Sequence, residues 1–242
     1  MQLIPVLDLM HGQAVRAVRG ERSTYQPLRS RLCDGAEPLT VARALAAHAA
    51  SDLLYLADLD ALQGRERQTG VIAQLLRDNP SRQCWVDAGF ADAAQASAWR
   101  ATLGPLAARV RPVFGSESLR DAQALQGLSE TPAGREGVLS LDRRAGQALD
   151  AAGAWQAPQA WPHRVIMMTL ERVGAGQGPD LTTLAALRAQ RPDVWLVGAG
   201  GIRHVADLAA AAAAGAQAWL VASALHDGSL PAAARSPSAP SA

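Results

Sequence analysis

The sequence contains no lysine: all 23 of its basic residues are arginine. A Schiff base needs a side-chain amine as nucleophile, so aldolase chemistry of that kind is excluded. A phosphate-binding loop that relies on lysine is excluded too. Cysteine is scarce, with Cys33 and Cys84 alone and no CxxC spacing. That speaks against a disulfide framework or a zinc ribbon, and places the chain in a reducing, cytoplasmic setting. The histidines, His11, His48, His163, His204 and His226, are far apart and form no HExxH pattern, so no metal site is expected. No basic stripe accompanies the net charge of +1, so nucleic acid is not an expected partner. The N-terminus has no basic start followed by an apolar region, so no signal peptide is expected. No uncharged apolar run reaches membrane-spanning length, and no membrane association is expected.

What remains is a chain of 242 residues, about half hydrophobic, which suits one domain. Short apolar runs alternate with longer helical stretches rich in alanine and arginine. Eight runs read as buried parallel strands: Leu3–Leu9, Leu53–Asp58, Gln83–Asp87, Val110–Phe114, Gly137–Leu141, Arg164–Thr169, Val194–Val197 and Ala218–Val221. Helices are expected at Pro38–Ala49, Gly70–Asn79, Ala91–Thr102, Leu119–Leu128, Leu181–Gln190 and His204–Ala214. Repeated strand-then-helix order implies right-handed crossovers and a parallel sheet. Eight units in this length favour a closed α/β fold, a single (β/α)8 TIM barrel over residues 1–231. An open doubly wound sheet is the competing fold, but no GxGxxG follows the first strand. Residues 232–242, rich in Ala, Ser and Pro, read as a flexible C-terminal tail.

The two halves resemble each other. Leu7-Asp8 matches Leu141-Asp142, and Asp58-Leu59-Asp60 matches Thr169-Leu170-Glu171. Asp87-Ala88-Gly89-Phe90 matches Gly198-Ala199-Gly200-Gly201-Ile202, and Gly115-Ser116 matches Ala222-Ser223-Ala224. Four such matches in register describe a two-fold repeat of a half-barrel.

Catalytic groups of this fold stand at the carboxyl ends of the strands. Asp8 and Asp142 occupy that rim at repeat-related positions, on opposite sides of the barrel mouth. Two carboxylates facing one cavity suit paired acid and base work, because different surroundings separate their pKa values. The alternative, capping of the following loop, weakens when both positions match. Thr169 either assists at the site or simply ends a strand as a β-branched residue. Gly200-Gly201-Ile202 and Ala222-Ser223 follow strands seven and eight, the usual phosphate site of the fold, where glycine lets backbone N–H groups approach an anion. A weaker second anion or substrate site lies at Gly89 and at Gly115-Ser116, where Asp87 would repel a phosphate. Among substrate-loop candidates, Arg16, with Arg19, either steers an anion or is solvated. Asp58 either holds a sugar hydroxyl or anchors a loop. Glu171 opens a glycine-rich stretch through Gly176 to Asp180 that reads as an active-site loop.

These residues resemble the barrel isomerase and cyclase of histidine biosynthesis (HisA and HisF), from Met1 to about Leu230. Ile4-Pro5-Val6-Leu7-Asp8-Leu9 with Gly12, Val15 and Arg16 is similar to the isomerase pattern at strand one. Ser140-Leu141-Asp142 with Arg144 is similar to its strand-five motif, and Thr169 falls where the family has a catalytic threonine. Gly200-Gly201-Ile202 and Ala222-Ser223-Ala224 resemble its C-terminal phosphate site. The resemblance implies an aldose–ketose isomerase of a small phosphorylated ribosyl or aminosugar substrate. Its Amadori rearrangement needs neither metal nor organic cofactor, with Asp8 as base, Asp142 as acid and Thr169 assisting.

The departures are specific. A Gly-Gly-Gly after strand three is here Asp87-Ala88-Gly89, and an Asp-Gly-Thr in the strand-six loop is Val173-Gly174-Ala175. The segment from Gly20 to Pro38 is unlike the usual loop after strand one. The pattern resembles a divergent HisA/HisF-related branch associated with methanogens, methylotrophs and one-carbon cofactor pathways. This leaves a substrate with one phosphate, a lyase or transferase in one-carbon or pterin metabolism, and a non-catalytic phosphate-binding barrel as further readings. Oligomeric state is not legible from the sequence.

Overall fold

A computed structural model describes residues 1–233. Eight strands form the barrel: β1 (Gln2–Met10), β2 (Leu53–Asp58), β3 (Gln83–Asp87), β4 (Val110–Gly115), β5 (Val138–Arg144), β6 (Arg164–Thr169), β7 (Trp195–Ala199) and β8 (Ala218–Val221). Each pairs in parallel with the next. β8 returns to β1 with Gln2 opposite Ala218 and Pro5 opposite Val221, which closes the sheet. The fold is therefore the expected (β/α)8 barrel, and the open sheet is excluded. Residues 234–242, most of the expected tail, lie outside the described residues.

Alternation along each strand sorts side chains to two sides. Ile4, Tyr55, Trp85, Val113, Val138, Ile166, Val197 and Leu220 point into the barrel. Leu7, Leu56, Val86, Leu139, Leu141, Val165 and Leu196 point out and pack under the helices. Those helices are α1 (Pro38–Ala49), α2 (Thr69–Asp78), α3 (Ala93–Thr102), α4 (Ala122–Glu130), α5 (Leu181–Gln190) and α6 (Val205–Ala213). Short side chains at their starts accept otherwise orphaned backbone N–H groups. Asp92 takes Gln95 N at 2.7 Å, Asp121 takes Ala124 N at 2.8 Å and Asp180 takes Thr183 N at 3.2 Å. Each such cap contributes about 1 kcal/mol. Glu37 does the same for α1, with Pro38 at the first position, where its missing N–H costs nothing.

Three features depart from regular alternation. The crossover from β5 to β6 holds two single 3-10 turns, Ala154–Gln156 and Pro158–Ala160, instead of an α-helix. Trp161 Nε1 pins them by donating to Ala154 O at 2.7 Å. β7 runs two residues further than its apolar run suggests, through Gly198. A Cβ there would lie 2.1 Å from the Trp219 ring, so only glycine lets that strand continue past the indole. Finally, β1 and β5 each run past their aspartate and fold back as antiparallel ribbons, at Gln13–Arg16 and Gln147–Ala148. The turns are His11-Gly12 and Ala145-Gly146, with φ of 52° and 76° in one and 51° and 77° in the other. Positive φ at both central residues matches the right-handed twist of a two-residue hairpin. The two half-barrels thus repeat in backbone conformation as well as in sequence.

Candidate active site

The barrel mouth holds a cavity of about 360 Å³ lined by the inward residues at the strand ends and by the loops beyond them. Asp8 of β1 and Asp142 of β5 both reach it, because each lies an even number of residues from an inward core position, Ile4 and Val138. The same parity brings in Asp87 of β3, two residues after Trp85. Three buried carboxyls therefore face one space.

Their environments differ. Asp8 is 9% exposed, and no group among the described residues donates a hydrogen bond to its carboxyl. Burial pushes its pKa up to about 7; the Arg22 charge opposes this and the Asp87 charge adds to it. Asp142 is held from two sides: Ser140 Oγ donates to Oδ1 at 2.6 Å, and Glu117 N to Oδ2 at 3.4 Å. Burial, then the neighbouring Glu117 charge, outweigh those bonds and raise its pKa well above the ordinary carboxylate value. Asp87 accepts from the Tyr55 hydroxyl at 3.0 Å and from Gly89 N at 3.4 Å. Burial and then Glu117 push it up to about 6. Arg22, from the loop after β1, is ion-paired with Glu117, from the loop after β4. Tyr25 of the same segment lines the cavity, and burial, with the Asp8 charge adding, raises its phenol to about 12.

On the other side lie Gly200, Gly201, Ile202, Ala222 and Ser223, all in the cavity wall. Gly200 and Gly201 have φ of 85° and 86°, and a Cβ on Gly201 would lie 2.1 Å from Gly178 O. Glycine is required there because the loops after β6 and β7 touch backbone to backbone. Trp219 Nε1 donates to Gly200 O at 3.3 Å and fixes the turn. Arg16 also lines the cavity, but its guanidinium makes a two-pronged pair with Asp227 at 2.9 and 2.7 Å. Arg19 lies outside the wall and ties the first loop down through its N–H, to Val173 O at 2.9 Å.

Other expected residues are placed elsewhere. Thr169 is a half-step out of phase with Ile166 and Met168. Its side chain turns away from the cavity and donates to Asp180 Oδ2 at 3.2 Å, beside the start of α5. Asp58 also points outward. It accepts from Ala61 N at 3.1 Å and Gln68 N at 2.6 Å, so it anchors its loop. Glu171, alone of the 3-10 turn Leu170–Arg172, does not line the cavity, and its Oε2 is buried and unpartnered among the described residues, whereas Gly176 of the same loop does line it. The expected second anion cradle is not assembled. Gly89, Gly115 and Ser116 do not line the cavity. Ser116 is consumed by β5 and the segment after its ribbon, accepting from Asp142 N at 2.9 Å and donating to Leu149 O at 2.8 Å. Gly115 leaves room for Asp142, whose Oδ2 would stand 3.0 Å from a Cβ there. The carboxyls of Asp87, Asp142 and Glu117 occupy that end instead, with Glu117 paired to Arg22.

Sequence reasoning missed Asp87, Tyr55, Arg22 and Glu117 as members of the site. Strand parity alone identifies the first two, since Asp87 and Tyr55 are in phase with inward Trp85 and Ala57. Arg22 and Glu117 lie in loops and carry no periodic signal.

Among the described residues, no helix is long and apolar enough to cross a membrane. Nor does any group of three or more His, Cys, Asp or Glu side chains have an arrangement that could hold a metal ion. The chain is 29% identical to an imidazole-4-carboxamide isomerase of Xanthomonas euvesicatoria pv. vesicatoria, whose full name carries two phosphoribosyl groups. That match covers 93% of this chain and 94% of the relative. A protein of the same name from Cenarchaeum symbiosum is 26% identical over 94% of this chain and 96% of its own length. An uncharacterized protein of Methanocaldococcus jannaschii is 26% identical over 95% of both chains. The family model described as "Histidine biosynthesis protein" matches residues 2–231, the whole barrel from first strand to last, and the chain belongs to that family.

Proposed function

We propose that the chain is an isomerase that converts a phosphorylated ribosyl or aminosugar aminoaldose into the aminoketose. The observation that carries this reading is the pair Asp8 and Asp142, two inward carboxyls at repeat-related positions with different surroundings. Asp142, raised well above the ordinary carboxylate value by burial and then by the Glu117 charge, suits delivery of a proton to the ring oxygen. The C1–O bond then breaks, and the lone pair of the substituent nitrogen forms a C1=N iminium. Asp8, near 7, is half ionised there and suits removal of the C2 proton. The C–H electron pair becomes the C1=C2 bond of an enolamine and quenches the iminium. Transfer of a proton from the C2 hydroxyl to C1 completes the ketone. A single phosphate would lie on the backbone of Gly200, Gly201, Ile202, Ala222 and Ser223, with Gly176 above it. Relatives named as isomerases of phosphoribosyl compounds support this class. Thr169 would act only through Asp180, and the reaction would run in the cytoplasm.

The test is complementation of a histidine auxotroph that lacks the isomerase. Growth that disappears in both Asp8→Asn and Asp142→Asn supports the histidine-pathway reaction. Absence of growth with soluble, folded protein rules that substrate out.

A second reading has its own support. Asp87 and Tyr55 stand beside the acid, and the Asp87 carboxyl disfavours a second phosphate there. A lyase or transferase acting on a substrate with one phosphate accommodates that change. Product analysis separates the two, because an isomerase returns a product of unchanged mass.

A further inference from the structure

The cavity is polarised. Beside the glycine turns it is lined by Arg16, Arg172 and Arg203, with Asp227 as the one carboxylate there among the described residues. Each is held in place, Arg16 by Asp227, Arg172 by the carbonyls of Gln177 and Gly178, and Arg203 by Asp207. The opposite end carries the carboxyls of Asp87, Asp142 and Glu117, with Arg22 as the cation paired there, and Asp8 borders it from β1.

Such a grouping is costly unless something answers it. Like charges packed in a buried space raise one another's energy, and burial penalises each separately. Hydrogen bonds within the protein do not absorb the whole cluster. Asp142 is bonded to Ser140 and Asp87 to Tyr55, but Asp8 is buried, faces the cavity and receives no donor among the described residues. Asp87 Oδ1 has only the long contact from Gly89 N, at 3.4 Å. These open acceptors aim at the same space. A metal ion is not the matching occupant, because no three of these side chains among the described residues converge as ligands. A planar or extended group with several N–H donors fits acceptors spread around a wall. The guanidinium of Arg22 already satisfies Glu117 in this manner.

We infer that the end of the cavity formed by Asp87 and Glu117, and bordered by Asp8, is a subsite for a cationic, N–H-rich group of the substrate, such as an amine or amidine, away from a single phosphate. This rests on the sugar-phosphate reading only for the anionic end. The occupant would take over the Arg22 contact to Glu117 and place its nitrogen donors on Asp87, leaving Asp8 free to reach C2. A second phosphate at this end would meet several carboxyls at close range and be repelled.

Binding of four probes tests this: benzamidine, neutral benzamide of nearly the same shape, phenyl phosphate and ribose 5-phosphate. Benzamidine is expected to bind at least roughly tenfold more tightly than benzamide, the scale of one charge-assisted hydrogen bond. Asp87→Asn and Glu117→Gln should each weaken benzamidine by a similar factor without weakening ribose 5-phosphate. Ser223→Asp should do the reverse. Glu117 lies in a loop, so Glu117→Gln retains the test if Asp87→Asn fails to fold. Equal affinity for benzamidine and benzamide would overturn the proposal. So would benzamidine binding unchanged in folded Glu117→Gln, or phenyl phosphate displacing benzamidine while ribose 5-phosphate is saturating. If ribose 5-phosphate fails to bind but the benzamidine pattern holds, the sugar-phosphate reading fails and the cationic subsite stands.

Discussion

The hydroxyl of Tyr55 donates to Asp87 Oδ2 at 3.0 Å across the interior of the barrel, from β2 to β3. This bond favours the ionised form of Asp87 and works against the burial that drives its pKa up to about 6. Tyr55→Phe removes the donor and leaves the ring in place. The Asp87 pKa should then rise further, which carboxyl-carbon NMR can follow. A value that stays near 6 or falls would mean that the bond does not govern this group.

The two proposed catalytic carboxyls should show in a pH profile. Asp8 must be ionised to act as base, so kcat/KM should fall as pH drops below about 7. Asp142 must be protonated to act as acid, so the rate should also fall at higher pH as that group, its pKa raised by burial, ionises. The profile should be bell-shaped. Asp8→Asn should abolish the acid limb and lower turnover by roughly 10²–10⁴-fold, the range for loss of a general base. A profile whose acid limb survives in Asp8→Asn assigns the base elsewhere.

Asp87 should cost stability at neutral pH. Its folded pKa, about 6, lies above the ordinary 3.8, so the folded state holds its proton more tightly than the unfolded chain. The penalty is absent below about pH 4, grows as pH rises and is complete above pH 6. Asp87→Asn should therefore stabilise the protein at pH 8 relative to wild type, by up to about 3 kcal/mol for a shift of this size. At pH 3.5 the difference should shrink towards zero. Urea denaturation at both values measures it. Greater stability of wild type at pH 8 would contradict the burial account.

Gly201→Ala should separate the loops after β6 and β7. The added Cβ would meet Gly178 O at 2.1 Å, and φ of 86° is strained for alanine. The expected cost is about 1–3 kcal/mol of stability, on the scale of local backbone strain, accompanied by loss of ribose 5-phosphate affinity. Thermal melting and calorimetry with ribose 5-phosphate report the two effects. Unchanged binding would place the phosphate elsewhere.

The barrel was largely legible because its signal is local. Apolar runs of strand length, six of them followed by a helical stretch, mark all eight strands, and the observed limits differ from the expected ones by only a few residues. The β5–β6 crossover is the exception, since its 3-10 turns have no helical period to betray them. The roles of polar residues at the strand ends were less legible. Asp8, Asp58, Asp87, Asp142 and Thr169 all stand at the ends of strands. A shift of one residue sends a side chain to the opposite face, and this separates the cavity-facing Asp8, Asp87 and Asp142 from Asp58 and Thr169, which bind their own loops.

By itself, the sequence determined the number and order of the strands, the half-barrel repeat that pairs Asp8 with Asp142, and the exclusion of lysine chemistry. These are properties of neighbours along the chain. Only the tertiary structure decided that Arg22 meets Glu117 across 95 positions of sequence, and that Ser116 serves β5 rather than an anion. Closing the sheet sets strand ends from distant segments around one cavity. The charge of that cavity is a sum over residues that share no local pattern.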